Sequence, residues 1–241
     1  MGRVIYVSSV NGDDANSGYA PEKAFRSLRK VNQMEIQPGD QILLERGSVF
    51  IGEYLHLYAG GTKEAPVVVD AYGEGGLPRI ETDGNGIWYQ NYGGHLDNVV
   101  HTWKGYLSSA VLLYDAEYIS IRNLEITNNP CVKNERLNQA DRMNRTGVSV
   151  IAKNHGTLHE IELDHLYIHD VEGNIYDKHL NNGGIYMSVS RPDDEKRLEL
   201  PVMTVSISTT VKLRTAADGE LPQATRTSMT NLPHGNCPMK W

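Results

Sequence analysis

The sequence has no long apolar segment and only two cysteines. Its longest uninterrupted apolar runs, such as those at 67–69 and 111–114, are a few residues long. A membrane-spanning helix needs about 20 predominantly apolar residues, so we expect no transmembrane segment. Cys131 and Cys237 lack the paired spacing of a structural zinc site and cannot form a disulfide-dense scaffold, since two cysteines allow at most one disulfide.

Positive charge is also scarce. The 241 residues carry 30 acidic and 23 basic side chains, a formal net charge of −7, and no run of Lys or Arg. Nucleic-acid binding depends on a basic surface that neutralises phosphates, so the composition argues against a nucleic-acid partner. The first residues pass directly into an apolar strand without the charged and apolar regions of a signal peptide. This start fits a cytosolic protein and equally an exported protein given without its leader.

Helical periodicity is limited to one segment. Between residues 24 and 34, Phe25, Leu28, Val31 and Met34 recur at helical spacing after Pro21. Elsewhere short β-rich runs alternate with Gly, Asn, Asp and Pro, at 3–10, 40–44, 66–72, 110–114, 118–126, 147–152, 160–168 and 184–189. The sequence predicts an all-β protein with one short helix near its start.

Two of these runs share a template. Residues 119–126 and 161–168 both fit I-x-[IL]-x-x-L-x-I, and each follows another apolar run, at 109–113 and 147–151. The apolar alternation skips two residues, at 122–123 and 164–165, as expected of two strands joined by a tight bend. Strand repeats in fixed order favour a β-solenoid with parallel pairing between repeats, capped by the helix. A β-sandwich is the competing interpretation, but only residues 83–86 form a convincing hairpin turn.

Several sequence phrases resemble a known family. These are YVSSVNGDDANSG (6–18), PEKAFRSL (21–28), YISIRNLEITN (118–128) and GGIY (183–186). They are similar to right-handed parallel β-helix proteins of the pectate lyase-like superfamily, which includes bacterial polysaccharide lyases and glycoside hydrolases. The resemblance covers about residues 3–190. It implies a right-handed parallel β-helix and a secreted or periplasmic bacterial protein that acts on polysaccharide or oligosaccharide.

The densest cluster of titratable side chains lies in and just after the second copy of the template. It comprises Asp164, His165, His169, Asp170, Asp177, Lys178 and His179. Hydrolases need two carboxylates flanking the scissile bond, whereas lyases need a base and a group that stabilises the enolate. We interpret Asp170 and Asp177 as paired catalytic acids or Ca²⁺ ligands and Lys178 as a catalytic base.

Two histidines of the cluster, His169 and His179, are interpreted as substrate contacts. The alternative is that the whole cluster is an ordinary polar loop. The polar insertion at 129–145 interrupts the repeat, and such insertions emerge where binding surfaces form. Trp88 and Trp103 lie in aromatic-rich stretches and are interpreted as stacking surfaces for sugar rings or, equally, as packing side chains.

The C-terminal residues differ in composition. All 13 tyrosines lie at or before Tyr186, and the template also stops. We therefore divide the chain into a β-helix domain at 1–190 and an atypical tail at 191–241. The tail has two open interpretations, a disordered or linker-like segment and a segment translated in a shifted frame.

The expected function is degradation of a plant, algal or host glycan by a glycoside hydrolase or a lyase. The alternatives are a non-catalytic carbohydrate-binding or surface β-solenoid and an inactive fragment of such an enzyme. Ca²⁺ is the one cofactor that the residues suggest. We expect a monomer.

Overall fold

A computed structural model describes residues 2–91, 104–129, 143–173, 181–194, 201–207 and 212–214. Its helical elements are a short α-helix, α1 (Leu28–Asn32), and a 3₁₀ turn at Pro21–Lys23. In chain order the strands are β1 (Val4–Val7), β2 (Gln41–Glu45), β3 (Val49–Ile51), β4 (Leu55–Leu57), β5 (Val67–Tyr72), β6 (Arg79–Glu81), β7 (Ile87–Asn91), β8 (Lys104–Tyr114), β9 (Ile119–Arg122), β10 (Glu125–Asn128), β11 (Asn144–Ala152), β12 (Leu158–Asp164), β13 (Tyr167–Val171), β14 (Gly183–Val189), β15 (Met203–Ile207) and β16 (Lys212–Arg214). The predicted all-β class with one short α-helix is therefore confirmed.

The strands form three sheets. The first has the order β1-β2-β5-β9-β12-β15, the second β3-β6-β10-β13-β16 and the third β4-β8-β11-β14. Strands within each of these orders pair in parallel, while β7 pairs antiparallel with the first half of β8. From β2 onward the chain visits the first, second and third sheets in turn and then returns to the first. Parallel pairing requires such crossovers, because a tight hairpin joins only antiparallel strands.

The core is built from aligned apolar side chains. In the first sheet the paired positions are Ile5, Ile42, Val69, Ile121 and Leu163, and in the second they are Phe50, Ile80, Ile126 and Ile168. Each of these side chains is at most 1% exposed. Full burial of such a side chain contributes about 1.5–3 kcal/mol. A slip of one residue would turn polar neighbours inward, so the core specifies the register.

The predicted strand–bend–strand unit is confirmed in both copies of the template. Asn123 (φ 54°) separates β9 from β10, and His165 (φ 48°) separates β12 from β13. Asn and His are among the residues that adopt this left-handed conformation most readily. The two copies pair in parallel, with Ile119 opposite Ile161 and Ile126 opposite Ile168.

The helix is shorter than the predicted segment at 24–34. Phe25 is extended, because its N–H donates to the Tyr6 carbonyl and its own carbonyl accepts from the Ser8 N–H. The Leu28 N–H donates to the Glu53 carboxylate at 2.5 Å, which caps the start of α1. The predicted buried face is confirmed, since Phe25, Leu28 and Val31 all lie in the core, and α1 packs on β4.

Strands continue beyond residue 190. β15 pairs with β12 of the first sheet, and β16 pairs with β13 of the second, both in parallel. Residues 195–200, 208–211 and 215–241 lie outside the described residues. The proposed boundary at 190 and the two interpretations of the tail therefore stay predictions.

Candidate functional site

The connections from the second sheet to the third are long in three successive passes of the chain. They span 82–103, which contains β7, then 129–143 and 172–182, whereas the connections from the first sheet to the second at 123–124 and 165–166 are two-residue bends. The predicted polar insertion at 129–145 belongs to this set. Loops on one edge of a rigid scaffold commonly carry binding and catalytic residues, so this edge is the candidate site.

A β-bulge lies at this edge in β13. One residue separates Ile126 from Asn128 in β10, but two separate their partners Ile168 and Val171 in β13. Within the bulge, Asp170 has a φ of 48°, a left-handed conformation that most non-glycine residues avoid. A bulge re-aims side chains and is over-represented next to active sites. Here it places His169 beside Asp170, with 2.8 Å between Nδ1 and Oδ2.

The His169 ring is held on its other side as well. Its Nε2 lies 3.0 Å from Oε1 of Glu125 on β10, and the ring stacks on Tyr167 with 4.3 Å between centroids. The His169 side chain is 14% exposed, while that of Asp170 is 49% exposed. The imidazole is therefore fixed in the surface of the second sheet, and the Asp170 carboxylate is open to a ligand.

An arginine continues this row of charges along the second sheet. Arg79 on β6 lies 3.4 Å from Glu125 through Nη1 and 2.9 Å from Glu81 through Nη2. The surface thus combines the carboxylates of Glu81, Glu125 and Asp170 with one guanidinium and one imidazole. Among the described residues, no group of three or more His, Cys, Asp or Glu side chains is arranged to hold a metal ion.

The ends of two long connections are tied together beside the bulge. Asn129 donates from Nδ2 to the Glu172 carboxylate at 3.1 Å. Arg145 is buried, and its Nη1 donates to the Glu172 carbonyl at 3.2 Å while its backbone N–H donates to Oδ1 of Asn182 at 2.8 Å. These contacts give the edge next to Asp170 a defined polar structure.

The long connection at 82–103 contains the antiparallel strand β7. Trp88 is 7% exposed and packs with Leu107, Leu112 and Ile151, and its Nε1 donates to Oγ of Ser109 at 2.8 Å. Its indole therefore serves in packing, and the role of Trp88 in sugar stacking stays a prediction. The neighbouring Tyr89 and Tyr106 are exposed and contact each other edge to face at 5.1 Å.

A hydrogen-bonded chain links β7 to the connection that follows β13. Gln90 donates from Nε2 to the Tyr186 hydroxyl at 2.8 Å, and its Oε1 accepts from Nδ2 of Asn181 at 3.0 Å. Gln90 is buried. The antiparallel pair β7–β8 and the start of β14 are therefore held together at the edge of the candidate site.

The structure brings two of the predicted site residues together, His169 and Asp170. Asp177, Lys178, His179 and Trp103 lie outside the described residues, as do both cysteines, and the predicted roles of these residues stay predictions. Sequence reasoning missed Glu125 and Arg79, which precede His169 by 44 and 90 positions. Alignment of the two template copies would have placed Glu125 opposite Tyr167, and so close to His169.

The chain is similar to several known proteins. The chain is 41% identical over 225 residues to a lacto-N-biosidase of Bifidobacterium longum subsp. longum, covering 83% of this chain and 14% of that enzyme. It superposes on the crystal structure of a GH136 lacto-N-biosidase from Eubacterium ramulus with a TM-score of 0.81 and 52% identity, covering 90% of this chain and 35% of that one. A rhamnogalacturonan lyase superposes with a TM-score of 0.53 and 11% identity over 89% of this chain and 51% of that one, which shows a shared fold alone.

These similarities cover only part of each relative. The chain spans about one seventh of the curated lacto-N-biosidase and about one third of the solved one. No protein-family model matches the chain. In the part of the chain that the structure describes, no helix is long and apolar enough to cross a membrane. The superpositions on solved structures show that the chain shares its fold with carbohydrate-active enzymes.

Proposed function

We propose that the chain is part of a glycoside hydrolase of the lacto-N-biosidase type, which releases a lacto-N-biose unit from an oligosaccharide. The observation that carries this proposal is the 52% identity to the Eubacterium ramulus enzyme across 90% of this chain. It favours a hydrolase over a lyase, two classes between which the residues alone do not choose. It also favours an oligosaccharide that carries a lacto-N-biose unit as the substrate.

The proposal includes the architecture. The chain passes through three parallel sheets in a constant order, and aligned apolar side chains continue from one pass to the next. A right-handed parallel β-helix accounts for both features, because each coil contributes one strand to each sheet. In this arrangement β6, β10 and β13 end at one edge, where the connections at 82–103, 129–143 and 172–182 begin, and we assign this edge to substrate binding.

The catalytic groups of the proposal are two carboxylates. Glycoside hydrolysis needs one acid to protonate the leaving oxygen and a second carboxylate that acts as nucleophile or as base. Asp170 is half exposed at the binding edge, and Asp177 follows it by seven positions in the connection at 172–182. We assign these two residues as the pair, with Lys178 and His179 as neighbouring contacts to substrate.

The test is hydrolysis of p-nitrophenyl lacto-N-bioside by the 241-residue chain and three variants. D170N and D177N remove one carboxylate each and are expected to lower kcat by about 1,000-fold or more, because each removes an acid–base or nucleophilic group. E64Q neutralises an exposed carboxylate on the connection at 58–66 and is expected to match the unmodified chain.

Three results would overturn the proposal. The first is full activity in D170N and D177N, which would exclude the assigned pair. The second is formation of an unsaturated sugar from a uronate polysaccharide, which would identify a lyase. The third is tight binding of the oligosaccharide by the folded chain without any turnover, which would identify a carbohydrate-binding module.

A further inference from the structure

We propose that His169 is a positioning residue whose imidazole fixes the Asp170 carboxylate in one orientation and is itself held by Glu125. This inference rests on the proposed role of Asp170 in glycoside hydrolysis. It goes beyond that role because it assigns a function to three residues, His169, Glu125 and Arg79, that do not have to touch the substrate.

The first step concerns the freedom of Asp170. Its carboxylate is 49% exposed, so packing alone leaves it free to rotate. The contact at 2.8 Å between Oδ2 and Nδ1 of His169 is the one hydrogen bond that the structure gives this carboxylate among the described residues. A displacement of about 1 Å in a catalytic group can lower the rate by about 100-fold, so this contact bears directly on turnover.

The second step concerns the rigidity of His169. The ring is 14% exposed, stacks on Tyr167 and contacts Oε1 of Glu125 through Nε2 at 3.0 Å. Glu125 in turn lies 3.4 Å from Arg79. Each partner stands on a strand of the second sheet, β6, β10 or β13. Side chains on strands hold a site more precisely than side chains on loops.

The third step is a count of protons. A neutral imidazole has one N–H donor, and only the protonated ring has two. Both ring nitrogens of His169 lie within hydrogen-bond distance of a carboxylate oxygen. Glu125, His169 and Asp170 must therefore share two protons if both contacts are hydrogen bonds. The neighbouring charged groups on β6 are Arg79, which pairs with Glu125, and Glu81, which pairs with Arg79.

Two substitutions separate the two contacts of the ring. The side-chain nitrogen of Asn overlays Nδ1 of His, and that of Gln overlays Nε2. H169N therefore keeps a donor toward Asp170, while H169Q keeps a donor toward Glu125. H169A removes both donors. H165N is the matched control, because His165 likewise contacts an adjacent aspartate through Nδ1, here the preceding residue Asp164 at 2.6 Å, but at the bend between the first and second sheets.

The kinetic expectation is specific to positioning. H169Q and H169A are expected to lower kcat on p-nitrophenyl lacto-N-bioside by about 100-fold with KM within about 2-fold. H169N is expected to retain kcat within about 5-fold, and H165N to match the unmodified chain. Retention of activity by H169Q together with its loss in H169N would overturn the inference. Unchanged kcat in all three His169 variants, with D170N inactive, would overturn it while leaving the proposed function intact.

A structural readout decides the inference even if the chain proves inactive. Crystal structures of the unmodified chain, H169N and H169A report the Asp170 rotamer directly. The carboxylate is expected at the same position in the first two and turned toward solvent in H169A. An Asp170 carboxylate that stays in place in H169A would overturn the positioning role of His169, whatever the enzyme hydrolyses.

Discussion

His56 makes the stability of the protein depend on pH between about pH 4 and pH 6.5. It lies on β4 and is 6% exposed, with Nε2 at 2.9 Å from the Ser109 carbonyl and the Tyr54 ring at 4.5 Å. Burial lowers the pKa of His56 from 6.5 to about 4, although the hydrogen bond to Ser109 acts in the opposite direction. Between these two values the unfolded chain binds a proton that the folded protein excludes. Stability is therefore expected to fall as the pH decreases through this range.

The size of the effect follows from the two pKa values. Each pH unit between them is worth up to about 1.4 kcal/mol. Integration from pH 7 to pH 5 gives a loss of about 2 kcal/mol from His56, and the loss approaches about 3.4 kcal/mol well below pH 4. For a domain of ordinary stability, about 5–15 kcal/mol, the loss at pH 5 is a large share of the total.

The assay is urea unfolding of the unmodified chain and H56Q at pH 7 and pH 5. Gln does not titrate, and its amide can donate to the Ser109 carbonyl in place of Nε2. The unmodified chain is expected to lose about 2 kcal/mol more than H56Q between the two pH values. Contributions from carboxylates cancel in this difference, because both proteins contain them. Equal pH dependence of the two proteins would refute the argument.

Three further predictions concern stability, each measured by urea unfolding. D40N should cost about 2 kcal/mol at pH 7, since the Asp40 carboxylate is fully buried and pairs with the partly exposed Arg3. Burial alone would raise the pKa of Asp40, but hydrogen bonds and charge from Arg3 lower it overall. The difference in unfolding free energy between the unmodified chain and D40N should therefore shrink below pH 3.8. A difference that does not change with pH would contradict this. W88F should cost about 1 kcal/mol, because it removes the hydrogen bond to Ser109; a W88F variant of unchanged stability would contradict it. E160G should stabilise by up to about 1 kcal/mol, because Glu160 is exposed with a φ of 47°; destabilisation would show that this residue is not strained.

The repeat was predictable because its evidence is local. Each template copy carries the apolar alternation of two strands and the polar residues of the bend between them. The strands β3, β4 and β6 were not predicted, because they are three residues long and too short to display alternation. They form through parallel pairing with distant strands, and pairing of this kind leaves no local pattern.

The part of the candidate site that lies close together in the sequence was also predictable. His169 and Asp170 stood out as neighbours in a titratable cluster, and the structure brings their side chains into contact. Glu125 and Arg79 were missed because only the register of the second sheet brings Glu125 to His169 and Arg79 to Glu125. The helix was predicted too long for a related reason. Phe25 has helical spacing in the sequence, but its backbone groups pair with β1.

The bulge shows why the two template copies differ at their ends. β10 continues regularly from Ile126 to Asn128, whose amide is fully buried and donates to the Ser108 and Thr146 carbonyls. Without the extra residue in β13, Asp170 would stand opposite Asn128, at a position where a carboxylate would lose its hydration. The bulge places Val171 there instead and moves Asp170 to a half-exposed position.

The left-handed backbone at Asp170 costs of order 1 kcal/mol, and the first copy of the template folds without it. The strain is therefore not a requirement of the sheet. What it provides is an accessible carboxylate beside a fixed imidazole, at the edge where the long connections emerge. The arrangement meets the needs of the role proposed for Asp170, because an acid that reaches a glycosidic oxygen needs both exposure and a fixed orientation.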